Sequence, residues 1–153
     1  MKRCLPRMMG LLLLIIALPG LAQDLMINNT QGLIFGSFAA GSGGTVTVSS
    51  NNVRSASGDV FLFPLGQVSA ASFTLSGSPN ASYTIELPAN NFVKLTAPGG
   101  EMVVTDFTSS PSITGQLNGA GSQNLTVGAT LIVEGNQAPG AYEGSFSVVV
   151  NYN

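Results

Sequence analysis

Apolar residues recur at every second position along much of this chain, and the pattern is clearest in residues 140–153, GAYEGSFSVVVNYN. Tyr142, Gly144, Phe146, Val148, Val150 and Tyr152 fall on one side of an extended strand, with Ser145, Ser147, Val149 and Asn151 on the other. One face is therefore built for burial. Covering Phe146, Val148, Val150 and Tyr152 is worth a gross total of about 6–12 kcal/mol, an upper estimate because unfolded chains already hide some surface. That is comparable to the roughly 5–15 kcal/mol by which a whole domain is stable. Whatever pairs with this strand helps to decide whether the domain folds.

The rest of the chain after Gln23 reads as short strands closed by turns, and no apolar period of 3.6 residues persists long enough for a helix. Leu25 and Ile27 alternate within residues 24–28. Leu33, Ile34 and Phe35 form a second run stopped by Gly36. Residues 41–44 (GSGG) predict a turn, and residues 45–49 (TVTVS) a strand with Val46 and Val48 inward. Residues 59–63 are apolar on both faces, as in a strand covered on both sides or lying at a partner contact. Phe73 and Leu75, then Tyr83, Ile85 and Leu87, predict a hairpin around the turn Gly77-Ser78-Pro79-Asn80. Residues 92–95 and 102–107 are further strands. Along residues 125–133, Leu125, Val127, Leu131 and Val133 share a face, and Gly128 between them predicts a bulge or a close backbone approach. Many short strands at roughly 8–12-residue spacing define an all-β class, an immunoglobulin-like two-sheet sandwich with a jelly roll or barrel as the alternative.

Composition adds an export route. Lys2, Arg3 and Arg7 precede the apolar run of residues 8–19, and the small-residue stretch Gly20-Leu21-Ala22 follows, so residues 1–22 are expected to be a signal peptide cleaved after Ala22. The run is shorter than the roughly 20 residues that span a bilayer, so no stable membrane insertion is expected after cleavage. Residues 23–153 then form a single domain, exported through the inner membrane. Only Arg54 and Lys94 face Asp24, Asp59, Glu86, Glu101, Asp106, Glu134 and Glu143 in it, a formal net of 2 − 7 = −5. Nucleic acid and anionic membranes are poor partners for such a charge.

The same portion has no cysteine, histidine or tryptophan, so nucleophilic catalysis lacks its usual base and soft-metal binding its ligands. The chain is expected to be no enzyme and to carry no catalytic, cofactor or metal site. Arg54 lies five residues before Asp59 and reads as one member of a solvated surface pair of little energetic weight.

The terminal alternation, with Gly140 fourteenth from the end and Tyr152 penultimate, resembles the C-terminal signature of chaperone-usher pilus subunits. LIFG at 33–36, GGTVTV at 43–48, Leu87-Pro88, VGATL at 127–131 and the tail itself resemble an exported bacterial domain family of uncharacterised function, similar to spore-coat-U and archaic common-pilus subunits. The resemblance implies a sandwich that lacks one strand. A periplasmic chaperone lends a strand beside the C-terminal one, and a neighbouring pilus subunit later replaces it at the usher. It implies that Phe146, Val148, Val150 and Tyr152 bound the groove and meet the partner strand, that Asn153 offers its carboxylate to the chaperone, and that Gly140 marks the start of the segment. The implied destination is the periplasm in transit, then the cell surface or an extracellular fibre. Such subunits carry a long alternating extension before the first strand, whereas residues 23–31 offer only Leu25 and Ile27 as a same-face apolar pair, so the resemblance leaves them as either a short donor segment or the domain's own first strand. The competing expectation is an exported adhesion or matrix domain that folds unaided.

Overall fold

The alternation expected around Leu125 is realised as the longest strand of the molecule. In a computed structural model, which describes residues 22–153, ten strands follow one another: β1 (Met26–Gln31), β2 (Phe38–Val48), β3 (Arg54–Leu62), β4 (Ala71–Ser76), β5 (Ser82–Glu86), β6 (Val93–Ala97), β7 (Gly100–Ser110), β8 (Thr114–Gln116), β9 (Ser122–Glu134) and β10 (Val149–Tyr152). The expected signal segment, apart from Ala22, lies outside the described residues.

Seven strands form one sheet with β9 at its centre. Along one edge β9 pairs first with β4 (Leu125 opposite Phe73) and then with β2 (Leu131 opposite Val46), and along the other with β7 (Leu131 opposite Val104). β1 extends the sheet beyond β4, β3 beyond β2, and β6 beyond β7. The second sheet is β10-β5-β8. The two sheets do not close into a barrel, and the architecture is a two-sheet β-sandwich. Leu125, Val127, Ala129, Leu131 and Val133 all point inward from β9 and are at most 2% exposed. They supply both halves of the core, one around Val46, Val48 and Val104, the other around Leu75, Tyr83 and Leu117. Leu33, Phe107 and Phe146 touch both halves.

Gly128 marks a close approach, as one of its two expected roles had it. A Cβ there would collide with the carbonyl oxygen of Val48 and the backbone of Ser49 and Ser50. The alternation of β9 continues unbroken through it, and the irregularity sits across the ladder, where β7 shifts register between Thr105 and Thr108.

Four expectations are corrected. Residues 41–44 are no turn but a bulge inside β2, with the register shifting between Ala40 and Gly43. Gly43 takes φ of +105°, open to glycine, and Asp59 accepts hydrogen bonds from the backbone N–H (2.8 Å) and hydroxyl (3.1 Å) of Ser42. The strands around Gly77 are not a hairpin: β4 belongs to the large sheet and β5 to the small one. The turn between them docks on residues 118–121 through Gly77 N–H to Gly121 O (2.8 Å) and Asn80 N–H to Asn118 O (3.1 Å), so the chain crosses the sandwich there. Arg54 does not pair with Asp59. Its guanidinium donates to the carbonyl oxygens of Phe35 (3.2 Å), Ser37 (3.3 Å) and Phe63 (2.7 Å), tying two loops together beside the edge strand β3. Of the two readings of residues 59–63, cover on both sides is excluded, because Phe61 and Phe63 stand 61% and 45% exposed, and the partner contact stays open.

Tyr83 is fully buried on β5, and its hydroxyl has no hydrogen-bond partner. Leaving such a group unsatisfied costs about 1–3 kcal/mol, so Tyr83→Phe is expected to stabilise the fold by about that amount in urea unfolding at pH 7. Burial also pushes the Tyr83 pKa above its ordinary value of 10.0. The native state therefore keeps the phenolic proton at pH values where the unfolded chain has lost it. Stability is accordingly full below pH 10 and declines as pH rises beyond it, a slope that the phenylalanine variant should reduce.

Candidate functional site

The C-terminal segment is pinned at both ends and free in between. Tyr142 donates its hydroxyl to Ala138 O (2.7 Å) and accepts from Gln137 Nε2 (2.9 Å), which fixes the start of the segment to the loop after β9. Glu143 then exchanges two backbone bonds with Thr96 of β6, at 2.8 and 3.0 Å. Further on, β10 pairs with β5 from Val149 opposite Glu86 to Tyr152 opposite Tyr83. The alternating run expected as one strand is thus paired only at its two ends. Among the described residues, none makes a hydrogen bond to the backbone of residues 144–148.

The side chains of this unpaired stretch are nonetheless in register for burial. Phe146 and Val148 are half-buried and face the core, while Ser145 and Ser147 are exposed. The Phe146 ring meets Phe107 with centroids 5.2 Å apart and planes tilted by 47°, a favourable aromatic geometry. A Cβ at Gly144 would press against the Lys94 carbonyl oxygen, so the chain lies tight on β6 just before it becomes unpaired.

Beside this stretch the sandwich is open. A groove of about 400 Å³ runs between residues 144–146 on one bank and Asn29, Gly32 and Leu33 on the other, with Phe35, Phe73 and Val93 among the residues of its floor. No residue lining it carries a charge. The groove is therefore suited to apolar side chains and supplies no acid, base or ligand for chemistry. Elsewhere among the described residues no three His, Cys, Asp or Glu side chains converge as a metal site.

Of the residues singled out in the sequence, Phe146, Val148 and Val150 come together on one core, where Leu25 joins them. Tyr152 is 37% exposed, and its hydroxyl donates to Gln23 O (2.7 Å) while accepting from Ser78 N–H (2.8 Å). Asn153 is exposed and donates its N–H to Ser82 O (3.1 Å). Gly140 lies apart on an exposed loop against Ala97. Ile27 lies in β1 opposite Leu75, and residues 26–28 pair with β4 of the same chain. Sequence reasoning did not find the far bank. Leu33 and Phe35 were visible as an apolar run, but nothing in their spacing says that they face the terminal segment.

These features define an all-β sandwich with an uncharged opening beside residues 144–146 of its C-terminal segment. The chain belongs to the family described as domain of unknown function DUF4402, whose profile matches residues 25–152. No curated protein and no solved structure matches the chain.

Proposed function

We propose that the protein is a structural subunit of a pilus or fimbria-like surface fibre, assembled when a β-strand from a periplasmic chaperone, and then from a neighbouring subunit at the usher, enters the groove beside the C-terminal segment. The observation that carries the reading is the coincidence of an unpaired backbone at residues 144–148 with the uncharged groove next to it. A strand entering there would satisfy the free N–H and C=O groups and place alternate side chains in the cavity, the physics of strand addition. The resemblance of the tail to pilus subunits supports the same reading, and the lack of titratable groups in the groove speaks against catalysis. In this reading the protein is no enzyme, needs no cofactor, and passes through the periplasm to the cell surface.

The second reading is an exported adhesion or matrix domain that does not polymerise. It is favoured by β1, which pairs with β4 of its own domain. Thermal unfolding of the purified protein with a synthetic peptide of alternating valine and threonine separates the two. A saturable rise in Tm of about 4 °C or more is expected if the groove takes a strand, since ligand binding to the native state alone stabilises it by mass action. A monomer whose cooperative unfolding is indifferent to the peptide would leave the self-contained domain as the reading.

A further inference from the structure

We infer that residues 23–25 form an internal plug for one end of the groove, latched by the Tyr152 hydroxyl, and that a strand lying along the whole C-terminal segment must displace them; this rests on the strand-addition reading above. The open cavity lies beside residues 144–146, against Asn29, Gly32 and Leu33. Toward the other end of the segment the cover is internal. Leu25 is half-buried on the same core as Val148 and Val150. The backbone of Gln23 sits in a closed circuit of hydrogen bonds: its N–H donates to Ser78 Oγ (3.0 Å), its carbonyl accepts from the Tyr152 hydroxyl (2.7 Å), and that hydroxyl accepts from Ser78 N–H (2.8 Å).

The circuit joins three distant parts of the chain at one point, and it is lightly held. Gln23 is exposed, Ser78 is only half-buried, and β1, which follows the plug, is exposed along all six of its residues, with Met26 at 65%. Segments with few buried contacts and solvent-exposed hydrogen bonds open locally far more readily than a core strand such as β9. Leu25 is the one apolar anchor of the plug, and the Tyr152 hydroxyl ties Gln23 directly to β10. Release of residues 23–25 would uncover the side of β10 that the open cavity does not reach. The plug thus sets how much of the terminal segment a partner strand meets at first contact, and makes full occupancy a two-stage event.

Hydrogen exchange on the purified protein tests this. In Tyr152→Phe, which keeps the ring and removes the hydroxyl, amides of residues 23–28 are expected to exchange roughly tenfold faster, the size set by losing one or two hydrogen bonds, while those of β9 keep their rate. Leu25→Ser, which leaves the hydroxyl in place, is expected to act in the same direction. Both variants should also bind the alternating valine–threonine peptide several-fold more tightly than the unaltered protein. Unchanged exchange at residues 23–28 in both variants overturns the plug, as does an acceleration spread equally over β9. Faster local exchange with equal peptide affinity overturns the claim that displacement is required. Faster local exchange with no peptide bound by any of the three proteins keeps the plug and overturns the strand-addition reading.

Discussion

Leu131→Ala is expected to lower the unfolding free energy by about 2–5 kcal/mol, a large part of what holds a domain of this size together. Leu131 is 1% exposed and sits where β9 is paired on both edges, with Val46 of β2 on one side and Val104 of β7 on the other. All three are buried, and they form a row across the middle of the large sheet. Truncation removes the apolar contact and leaves a void that its neighbours, held by ladders on both edges, close only in part. Urea unfolding followed by circular dichroism should show a lower midpoint with an unchanged slope. A loss below about 1 kcal/mol would mean that the row relaxes into the space and that β9 is less constrained than its pairing indicates.

Gly128→Val is expected to have the larger effect, with no cooperatively folded protein recovered. The atoms that a side chain would meet are the Val48 carbonyl oxygen and the backbone of Ser49 and Ser50. A flexible side chain can swing aside, but a backbone held in the β2–β9 ladder up to the Val48–Ala129 pair cannot do so without breaking that pairing. Overpacking costs of 1–3 kcal/mol or more apply where the neighbour yields, and here it does not. Gly119→Ala is the control, because nothing lies within 4 Å of the Cβ position at Gly119. Recovery of soluble protein and its near-ultraviolet signal, compared for the two variants, is the measurement.

What the sequence disclosed and what it withheld divide along a physical line. Alternation identified the inner faces of β2 and β9, because a period of two is a local property and the buried partners Val46, Val48, Leu125 and Leu131 each report it directly. Glycine misled at residues 41–44, since the freedom that makes a turn also makes a bulge, and only Asp59, brought alongside by β3, selects between them. Pro79 and Gly77 marked a reversal correctly but could not say that its two arms belong to different sheets. That depends on the contact with residues 118–121, about forty positions away. Arg54 was mispaired because proximity in sequence suggested Asp59, while three carbonyl groups from two loops provide a better site for a planar cation.

The candidate site was half legible. Its apolar strip, Phe146, Val148 and Val150, was written in the tail. That the backbone of residues 144–148 goes unpaired, and that Asn29, Gly32 and Leu33 stand across from residues 144–146, follows from how β1 and β10 are assigned to different sheets. No local pattern carries that assignment.

The central place of β9 bears on the order of events as the polypeptide emerges. Until residue 122 has appeared, β4, β2 and β7 lack the neighbour that joins them, and only the separate two-stranded pairs β1–β4, β2–β3, β5–β8 and β6–β7 have both members present. Isolated two-stranded hairpins are marginal in water. A nascent product cut short of that point therefore holds no sandwich at all. The sandwich can therefore close only after most of the chain has been made.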